Sequence, residues 1–507
     1  MQRKYPLGIQ TFSEIREVGY VYVDKTEQID RVVSAGKYYF LSRPRRFGKS
    51  LTLSTMHDLY RGRKELFTGL WAEKNWDWTN RKRPVVWLKF SSYPPLEYGL
   101  SRAIHDMMND QAAEHGLDIG DENTSVGNRF RSLLQQLSAR DGKVVVLVDE
   151  YDKPLIDVIE NVEVIDKRRE ILKSFYAILK DADPYLELVF ITGVSAFARV
   201  SIFSDLNNLT YLTLHERAAT LVGITQQELY DTFAPELETV DKAELRRWYN
   251  GYSWNGRDFV YNPWSVLSFM DQRRIANYWF LTGTPTFLVK LMKSASLYKL
   301  PQFEGDVVSL TTFDPAAPDL LPLLFQTGYL TVKTPPDSIG WYELDYPNLE
   351  VRESLDRMLL AGYTSAPAAA SGSRSANLIR AFQRGDLDAV RDAINATLAS
   401  IPYDHWKGQN EFFFHVVTYL LFRLAGVHLE TEVHSAKGRA DLVVATSRAV
   451  YVIELKVDEP ASTALTQVME RGYLQPYLTD ARPKYAVAAT FSSETKQLEN
   501  WVVGLIN

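Results

Sequence analysis

The chain has 507 residues, of which 46% are hydrophobic and 24% are charged, and it contains no cysteine. A chain of this length is too long for one ordinary core, so we expect a globular protein with two or three domains. The lack of cysteine excludes disulfides, thiolate zinc sites and cysteine nucleophiles, and it is compatible with a reducing compartment.

The sequence predicts neither a signal peptide nor a membrane segment. The N-terminal residues have no apolar h-region, and the longest apolar runs, such as Val144 to Val148, are far shorter than the roughly 20 residues that span a bilayer. We therefore expect a cytoplasmic protein with no membrane partner. The net charge of −6 gives no overall attraction to nucleic acid, so nucleic-acid binding would require a local basic groove.

Short apolar runs alternate with helix-like stretches in the first two hundred residues. The runs that we interpret as strands are residues 37–41, 85–90, 144–148 and 188–192. Residues 168–180 are typical of an amphipathic helix. Alternation of this kind, with strands that are apolar on both faces, predicts a parallel α/β sheet.

Helical patterns and clusters of aromatic residues follow from about Gln226 onward. The aromatic residues lie in segments 248–254, 261–264 and 278–280. Such residues either stack on bases, as in single-strand binders, or belong to a core, and we interpret them as core. Residues 365–376 are small, which predicts a loop or a linker. The block from about Pro402 predicts a helix, three strands, a second helix and a final strand, and we find no internal repeat.

A phosphate-binding loop is predicted where SRPRRFGKS, residues 42–50, follows one predicted strand and opens a helix. In such a loop the backbone N–H groups and the helix N-terminus hold the phosphates. We expect Gly48 to allow close backbone approach, Lys49 to reach the β- and γ-phosphates, and Ser50 to bind magnesium.

The loop departs from the usual motif at one position. Arg43 stands where the first glycine is usual, which leaves open whether nucleotide is hydrolysed or only bound. We expect Arg46, Phe47 and Leu51 to complete the nucleotide-binding stretch, with the loop arginines facing phosphate or, alternatively, a partner.

The run VVVLVDE, residues 144–150, is typical of a Walker B strand. Asp149 would hold magnesium and Glu150 would polarise the attacking water, although a buried strand that ends in a solvated acidic turn has the same pattern. Thr192, at the end of the next strand, is a candidate sensor of the γ-phosphate. Arg199 would reach a phosphate or, alternatively, is a structural surface arginine.

Three segments together resemble the bacterial AAA-ATPase-like family, whose members commonly carry a C-terminal PD-(D/E)XK nuclease-like domain. They are residues 43–50 (RPRRFGKS), 149–154 (DEYDKP) and 191–209. Later segments, at residues 261–265, 282–286 and 325–330, are also similar to that family. The resemblance covers nearly the whole chain and implies that an arginine at position 43 is usual. With the change of pattern at about residue 226 and the small residues near 375, we expect a P-loop domain at residues 1–225, a helical, winged-helix-like lid and connector at 226–375, and a nuclease-like domain at 376–507.

The C-terminal block contains two apolar strands that each carry an acid, GRADLVVA (438–445) and VYVIELK (450–456). If Ser447 and Arg448 form a two-residue turn, antiparallel pairing places Asp441 opposite Glu454, with Cβ atoms roughly 5 Å apart. Two carboxylates at that distance repel each other unless a cation joins them, which predicts a divalent metal site. A surface ion pair is the alternative interpretation.

Lys456 lies on the same strand face as Glu454 because side chains alternate with a period of two. It would orient the nucleophilic water or stabilise the phosphate, and all-oxygen ligands suit magnesium or manganese. Glu411, on a helix upstream, would complete the metal sphere, and Gln467, on a helix downstream, would orient water or DNA. We expect His415, which shares the helical face of Glu411, to orient or pack rather than to bind metal.

This order of polar residues resembles the PD-(D/E)XK superfamily, which implies a mixed four-stranded sheet flanked by helices, with Asp441 and Glu454 as metal ligands. The sequence thus predicts an α/β protein in which ATP binding gates a magnesium- or manganese-dependent nuclease. DNA is preferred to RNA as the substrate, and a homo-oligomer is left open. Two alternatives remain: a nucleotide-dependent switch whose nuclease-like domain only binds, and a nuclease whose P-loop is only structural.

Overall fold

The structure is a computed structural model that describes most of the chain. The described residues are 3–506 except 94–98, 122, 160, 196–201, 204, 205, 207, 280–285, 296, 298–302, 313–318, 365–367, 402–405, 407–410, 426, 427, 436, 437, 447, 463, 464, 467–476 and 478. Only the backbone is described for 162, 286, 287, 294, 368–374, 411, 428–435, 438–441 and 506. Among the described residues, no helix has both the length and the apolar composition that crossing a membrane requires.

The N-terminal part of the chain builds a parallel five-stranded sheet, as the sequence predicts. Its strands are β1 (Tyr38–Ser42), β2 (Val85–Lys89), β3 (Val144–Asp149), β4 (Leu186–Gly193) and β5 (Thr210–Tyr211), in the order β2-β3-β4-β1-β5. Every residue of β1 and β3 is buried, because helices cover both faces of a parallel sheet. Strand β5 has only two residues and has no signal in the sequence.

Helices connect these strands and flank the sheet. They are α1 (Phe12–Val18), α2 (Thr26–Val33), α3 (Lys49–Tyr60), α4 (Trp71–Asn75), α5 (Leu100–His115), α6 (Val126–Asp141), α7 (Lys153–Ile156) and α8 (Val162–Asp181). Helix α3 begins directly after the predicted phosphate-binding loop, and α7 begins just after β3. The two segments of interest for nucleotide binding therefore lie at the carboxyl edge of the sheet, where ligands of open α/β sheets bind.

The middle of the chain is mainly helical, as predicted, and adds two small antiparallel sheets. Its helices are α9 (Gln226–Phe233), α10 (Lys242–Tyr249), α11 (Pro263–Gln272), α12 (Thr286–Ser294), α13 (Val307–Thr311) and α14 (Leu320–Thr327). Strands β6 (Ile224–Thr225) and β7 (Val260–Tyr261) form one sheet, and β8 (Phe303–Gly305), β9 (Thr331–Val332) and β10 (Tyr342–Asp345) form the other.

Most of the described aromatic residues of this middle region are core residues, which confirms their interpretation, whereas Trp248 and Trp264 are only partly buried. Tyr249, Tyr252, Trp254, Tyr261 and Tyr278 are each at most 3% exposed. Tyr249, Tyr261 and Tyr278 share a hydrophobic cluster with residues of α9, α10 and α11. They are therefore not available to stack on bases.

By compactness the chain forms two units. Unit 1 comprises Met1–Thr282 and Pro301–Val351, and unit 2 comprises Gly283–Leu300 and Arg352–Asn507. The division into three domains at residues 225 and 375 stays a prediction from the sequence.

Unit 2 contains a mixed sheet of five strands. After α15 (Leu349–Thr364), α16 (Ala368–Arg384), α17 (Leu387–Ala399) and α18 (Glu411–Leu424) come β11 (His428–Ser435), β12 (Gly438–Ala445), β13 (Val450–Val457), β14 (Lys484–Phe491) and β15 (Leu498–Ile506). The strands lie in chain order, with β13 and β14 parallel and the other neighbours antiparallel.

Two expectations for this part of the chain are wrong. The sheet has five strands rather than the four that the resemblance implies, because β15 adds an antiparallel strand to β14. Residues 368–376 belong to α16 rather than to a loop or linker. That segment is rich in alanine, which has the highest helix propensity, and a scarcity of large apolar residues does not by itself break a helix.

The two faces of the unit 2 sheet have different coverings. On one face, the rings of Phe382 (α16) and Tyr451 (β13) have centroids 5.8 Å apart, and those of Phe414 (α18) and Phe491 (β14) are stacked at 4.8 Å. On the other face, Ala461 and Leu465 pack over Ala488 of β14. We call these the aromatic face and the alanine face.

A buried carboxylate organises the part of unit 1 around α11. Glu350 is fully buried, and its Oε1 accepts hydrogen bonds from the backbone N–H groups of Tyr278 and Trp279, both at 2.8 Å. Its Oε2 accepts a hydrogen bond from the hydroxyl of Ser265 at 2.7 Å. One side chain thus joins three segments that are distant in sequence.

We expect Glu350→Ala to lower the free energy of unfolding by about 3–5 kcal/mol, because it leaves two buried N–H groups and one hydroxyl without their acceptor. Urea denaturation followed by tryptophan fluorescence measures the effect. Glu304→Ala, at an exposed position of β8, is the control and should change stability by less than about 0.5 kcal/mol. A Glu350→Ala variant as stable as the control would contradict this role.

Candidate functional site

A cleft of about 400 Å³ opens at the carboxyl edge of the parallel sheet in unit 1. Its lining includes Arg45, Arg46, Gly48, Lys49, Ser50 and Leu51 from the loop and start of α3, and Glu150, Asp152 and Lys153 after β3. Residues 6–10 and the start of α11 supply other walls. This volume is in the usual range for a small-molecule or cofactor pocket.

The loop backbone has a positive φ, which favours glycine, at residues 46 and 48. Gly48, the residue before α3, has φ +93°, and Arg46 has φ +69°. The Arg46 guanidinium lies 4.5 Å from the ring centroid of Trp264. A non-glycine residue with positive φ costs about 1–2 kcal/mol, and such strain is commonly found at functional sites.

Lys49 is bound by its own loop. It is 7% exposed, and its Nζ donates hydrogen bonds to the carbonyl oxygens of Arg43 at 2.8 Å and Pro44 at 2.9 Å. Burial lowers the pKa of Lys49 to about 8, while the nearby charges of Asp149, Asp152 and Glu150 act in the opposite direction. The ammonium group is therefore buried among polar groups, and an anionic ligand would favour its charged form.

Arg43 does not face the cleft, which corrects the expectation that the loop arginines face phosphate. Its side chain is 1% exposed, and the guanidinium donates hydrogen bonds to the carbonyl oxygens of Ser42, Thr213 and Ala218 at 2.9, 2.6 and 3.1 Å. It also lies 4.0 Å from the ring centroid of Trp254. Burial holds the pKa of Arg43 well below its usual value. This residue is a structural anchor that joins the loop to the segment after β5.

Phe47 also points away from the cleft. It is 1% exposed, and its ring lies edge-on to Tyr252 and Trp254, with centroids 4.7 and 5.4 Å apart. It lines a smaller apolar cavity of about 80 Å³ that also includes Gly48 and Leu51. Phe47, one of the residues predicted to bind nucleotide, therefore does not present its side chain to the cleft. It can contribute to the loop only through its backbone and through its packing.

Asp149 and Thr192 meet at the ends of β3 and β4. The Thr192 hydroxyl donates to Oδ1 of Asp149 at 2.9 Å, and both residues are at most 4% exposed. Neither residue lines the cleft, whereas Glu150, which follows Asp149 in the chain, does. Glu150 has φ +53°, and burial followed by the charge of Asp149 raises its pKa. A carboxyl group with a raised pKa beside a cleft is suited to accept a proton.

Two charged residues near this site do not appear among the sequence-based candidates. Lys89 on β2 pairs with Asp149 on β3, so the two residues lie on the same face of the sheet. Asp152, 1% exposed, accepts hydrogen bonds from the backbone N–H groups of Val194 and Ser195 and from the Ser195 hydroxyl. Lys89 is the last residue of the apolar strand β2, and Asp152 lies in the acidic turn that follows β3, so a charged residue at or shortly after the end of an apolar strand is the signal that could have found them. The walls from residues 6–10 and α11 have no sequence signal, because only tertiary folding brings them to the loop.

In unit 2, the register of β12 and β13 is the one that the predicted two-residue turn requires. Leu442 pairs with Ile453, so the next position along both strands brings Asp441 opposite Glu454. Glu454 is 3% exposed, and its Oε1 lies 3.3 Å from Nζ of Lys456. The carboxylate oxygens of Glu454 are of the kind that magnesium prefers, and the second acid of the predicted pair, Asp441, is described only in its backbone.

Other predicted residues of this site fall outside the described side chains. The structure gives only the backbone of Asp441, in β12, and of Glu411, in α18, while Gln467 and Arg199 lie outside the described residues. Helix α18 packs on the aromatic face through Phe414. Among the side chains that the structure describes, no three His, Asp or Glu converge as metal ligands. The predicted roles of Asp441, Glu411 and Gln467 stay predictions.

We expect Arg43→Gly, which restores the usual loop glycine, to destabilise unit 1 by about 3–5 kcal/mol, because three buried carbonyls lose their donor and Trp254 loses its partner. Differential scanning calorimetry should show a midpoint lower by roughly 10 °C. Arg45→Gly, in the same loop but exposed, is the matched control and should shift it much less. An unchanged midpoint in Arg43→Gly would show that the arginine does not anchor the loop.

Comparisons with known proteins agree with both halves of this architecture. A family model described as "Predicted AAA-ATPase" matches residues 6–203, and a model of the PD-(D/E)XK nuclease superfamily matches residues 409–501. A relative from Azotobacter chroococcum mcd 1, named "Uncharacterized protein in vnfD 5'region", is 37% identical over 520 residues and covers 99% of each chain.

Among solved structures, the Aeropyrum pernix ORC1 protein in complex with DNA matches with a TM-score of 0.27 and 11% identity, covering 66% of this chain and 92% of that one. A likeness this low does not establish a shared fold. The family models and the full-length relative do establish the family. The chain belongs to the AAA-ATPase-like family and carries a C-terminal domain of the PD-(D/E)XK nuclease superfamily.

Proposed function

We propose that this protein is a nucleotide-gated, magnesium-dependent nuclease that hydrolyses phosphodiester bonds, in DNA rather than RNA. The observation that carries the proposal is the arrangement on β12 and β13. Glu454 is buried beside Lys456, and the strand register places Asp441 opposite it. Lys456 pairs with one oxygen of Glu454, and a second carboxylate opposite Glu454 would repel it unless a cation joined the two acids.

The chemistry follows from the side chains of β12 and β13. Asp441 and Glu454 would hold magnesium or manganese, which would supply an activated water and polarise the phosphate. Lys456 would donate hydrogen bonds to the phosphate oxygens and balance their negative charge. Glu411 and Gln467 would complete the site from the two helices that the sequence analysis assigns to it.

Nucleotide binding in unit 1 is supported by the cleft and by the state of Lys49. The Lys49 ammonium is bound to the carbonyls of Arg43 and Pro44, and the β- and γ-phosphates of ATP would take over these contacts. Ser50 and Asp149 would hold magnesium, and Glu150 would orient and deprotonate the attacking water.

Gating would begin at the same lysine. Because the carbonyls of residues 43 and 44 lose a donor when Lys49 moves to a phosphate, the loop conformation must respond to nucleotide. Arg43 and Phe47 connect this loop to Thr213 and to Tyr252 and Trp254. A two-state loop of this kind would bias the activity of unit 2. A cytoplasmic location stays a prediction.

We expect Asp441→Asn, Glu454→Gln and Lys456→Ala each to lower the cleavage rate at least 100-fold, because each removes a metal ligand or the cation beside it. The assay uses labelled single- and double-stranded DNA and RNA with magnesium or manganese, with and without ATP. Glu459→Gln, at an exposed position three residues past Lys456, is the matched control and should cleave like the wild type.

If the wild type cleaves at the same rate with and without ATP, nucleotide does not gate the nuclease, and that part of the proposal is wrong. No cleavage of any probe by the folded wild type would overturn the nuclease assignment, and the C-terminal domain would then be a binding module.

We expect ATP affinity to fall as pH rises above about 8 and binding to take up close to one proton at pH 9. The pKa of Lys49 is about 8 in the free protein, so the group is mainly neutral at pH 9, and phosphate binding favours its protonated form. Isothermal titration calorimetry in buffers of different ionisation enthalpy measures the uptake.

Lys49→Arg is the control for this titration, because arginine stays charged throughout and should show no proton uptake. Lys49→Ala should weaken ATP binding at least tenfold at pH 7. Unchanged affinity in Lys49→Ala would indicate that the loop is only structural.

A further inference from the structure

A row of three polar side chains crosses the alanine face of the unit 2 sheet next to Glu454. Lys456 on β13 pairs with Thr490 on β14, and Thr490 pairs with Asn500 on β15. Directly paired residues point to the same face of a sheet, and Lys456 shares its face with Glu454 two residues before it. Lys456, Thr490 and Asn500 therefore form a polar row beside the acidic pair.

Apart from Glu454, the two adjoining rows of this face are apolar. In the next row, Glu454 pairs with Ala488, which pairs with Val502, and in the row after it Val452 pairs with Ala486, which pairs with Gly504. Ala461 and Leu465 pack over Ala488, so a helical segment covers the apolar rows. The polar row is confined to the end of the strands that carries Lys456.

Thr490 has a property that packing does not explain. Its side chain is 6% exposed, and within the part of the chain that the structure describes its hydroxyl has no hydrogen-bond partner. A buried hydroxyl without a partner destabilises the folded state. The nearly isosteric valine would avoid that cost on a strand whose neighbouring residues are alanine and phenylalanine.

We propose that Thr490 is a positioning residue for the nucleic-acid backbone, with its hydroxyl donating a hydrogen bond to a phosphate oxygen of the substrate beside Lys456. Neighbouring strands lie about 4.8 Å apart, so the row from Lys456 to Asn500 spans about 10 Å. Asn500 is exposed and extends the contact to the adjoining nucleotide. The strand being cut then lies across β13, β14 and β15. This inference rests on the proposed nuclease function.

The test compares Thr490→Val with Thr490→Ser in the full-length chain. We expect Thr490→Val to lower kcat/KM for DNA cleavage about tenfold and Thr490→Ser to retain at least a third of the wild-type value, since serine keeps the donor. Thr490→Val should also melt about 2–4 °C higher than the wild type, because an unsatisfied buried hydroxyl is removed. A merely structural threonine would not combine higher stability with lower activity.

Thr397→Val is the matched control. Thr397 is also buried, but its hydroxyl donates to the Ala393 carbonyl at 3.1 Å, on a helix away from the alanine face. We expect this variant to melt at or below the wild-type temperature and to cleave normally. Wild-type kcat/KM in Thr490→Val, or a lower melting temperature with loss of activity, would overturn the proposal.

A binding measurement separates this inference from the nuclease assignment. Fluorescence anisotropy with a labelled 20-nucleotide single strand and with the corresponding duplex compares Glu454→Gln with Glu454→Gln/Thr490→Val. We expect the second to bind at least fivefold more weakly, and Asn500→Ala on the same background to bind about threefold more weakly. If the wild type cleaves nothing but these differences appear, the nuclease assignment fails and Thr490 remains a backbone contact. Equal affinities would overturn the role of Thr490.

Discussion

The geometry of the cleft in unit 1 depends on one buried guanidinium. The Arg43 guanidinium donates hydrogen bonds to the carbonyl oxygens of Ser42, Thr213 and Ala218, and it stacks on the ring of Trp254. A buried charge costs folding free energy unless it is paired or hydrogen-bonded. The three hydrogen bonds from the terminal nitrogens of Arg43 offset that cost and fix the loop relative to the segment after β5. These hydrogen bonds hold the loop in place at the position where the usual motif has its first glycine.

Lys49 provides a second, reversible constraint on the same loop. Its ammonium group is held by two carbonyls of the loop, and burial lowers its pKa to about 8. A bound phosphate would favour the charged form. The loop has a fixed end at Arg43 and an end at Lys49 that can exchange partners, which is the arrangement a ligand-sensitive element needs.

The unit 2 sheet shows how strand periodicity separates chemistry from packing. The aromatic face packs against α16 and α18 through Phe382 and Phe414. The alternate residues of the same strands carry alanines and then, at one end, Glu454, Lys456 and Thr490. Because successive side chains of a strand point to opposite faces of the sheet, a polar site can occupy one face while the other face is fully apolar. The fold therefore keeps a buried acid on a strand that is otherwise core.

The sequence by itself determined the parallel sheet, the position of the phosphate-binding loop and the register of β12 and β13. These features depend on local patterns: apolar runs, a strand-to-helix turn, and a two-residue turn between strands. The same patterns failed for residues 368–376, where alanine propensity produced a helix, and for β15, in which apolar and polar residues do not alternate regularly.

Only the tertiary structure decided which of the loop arginines face the cleft, that Glu350 joins three segments, and that Thr490 lies beside Lys456. Each of these depends on residues far apart in sequence, and their side-chain directions are set by packing rather than by local conformation. Arg43 and Arg46 are three residues apart and chemically identical, yet one is buried under Trp254 and the other is exposed against Trp264. The physical reason is that burial and hydrogen-bond partners are properties of the assembled core, and no local pattern encodes them.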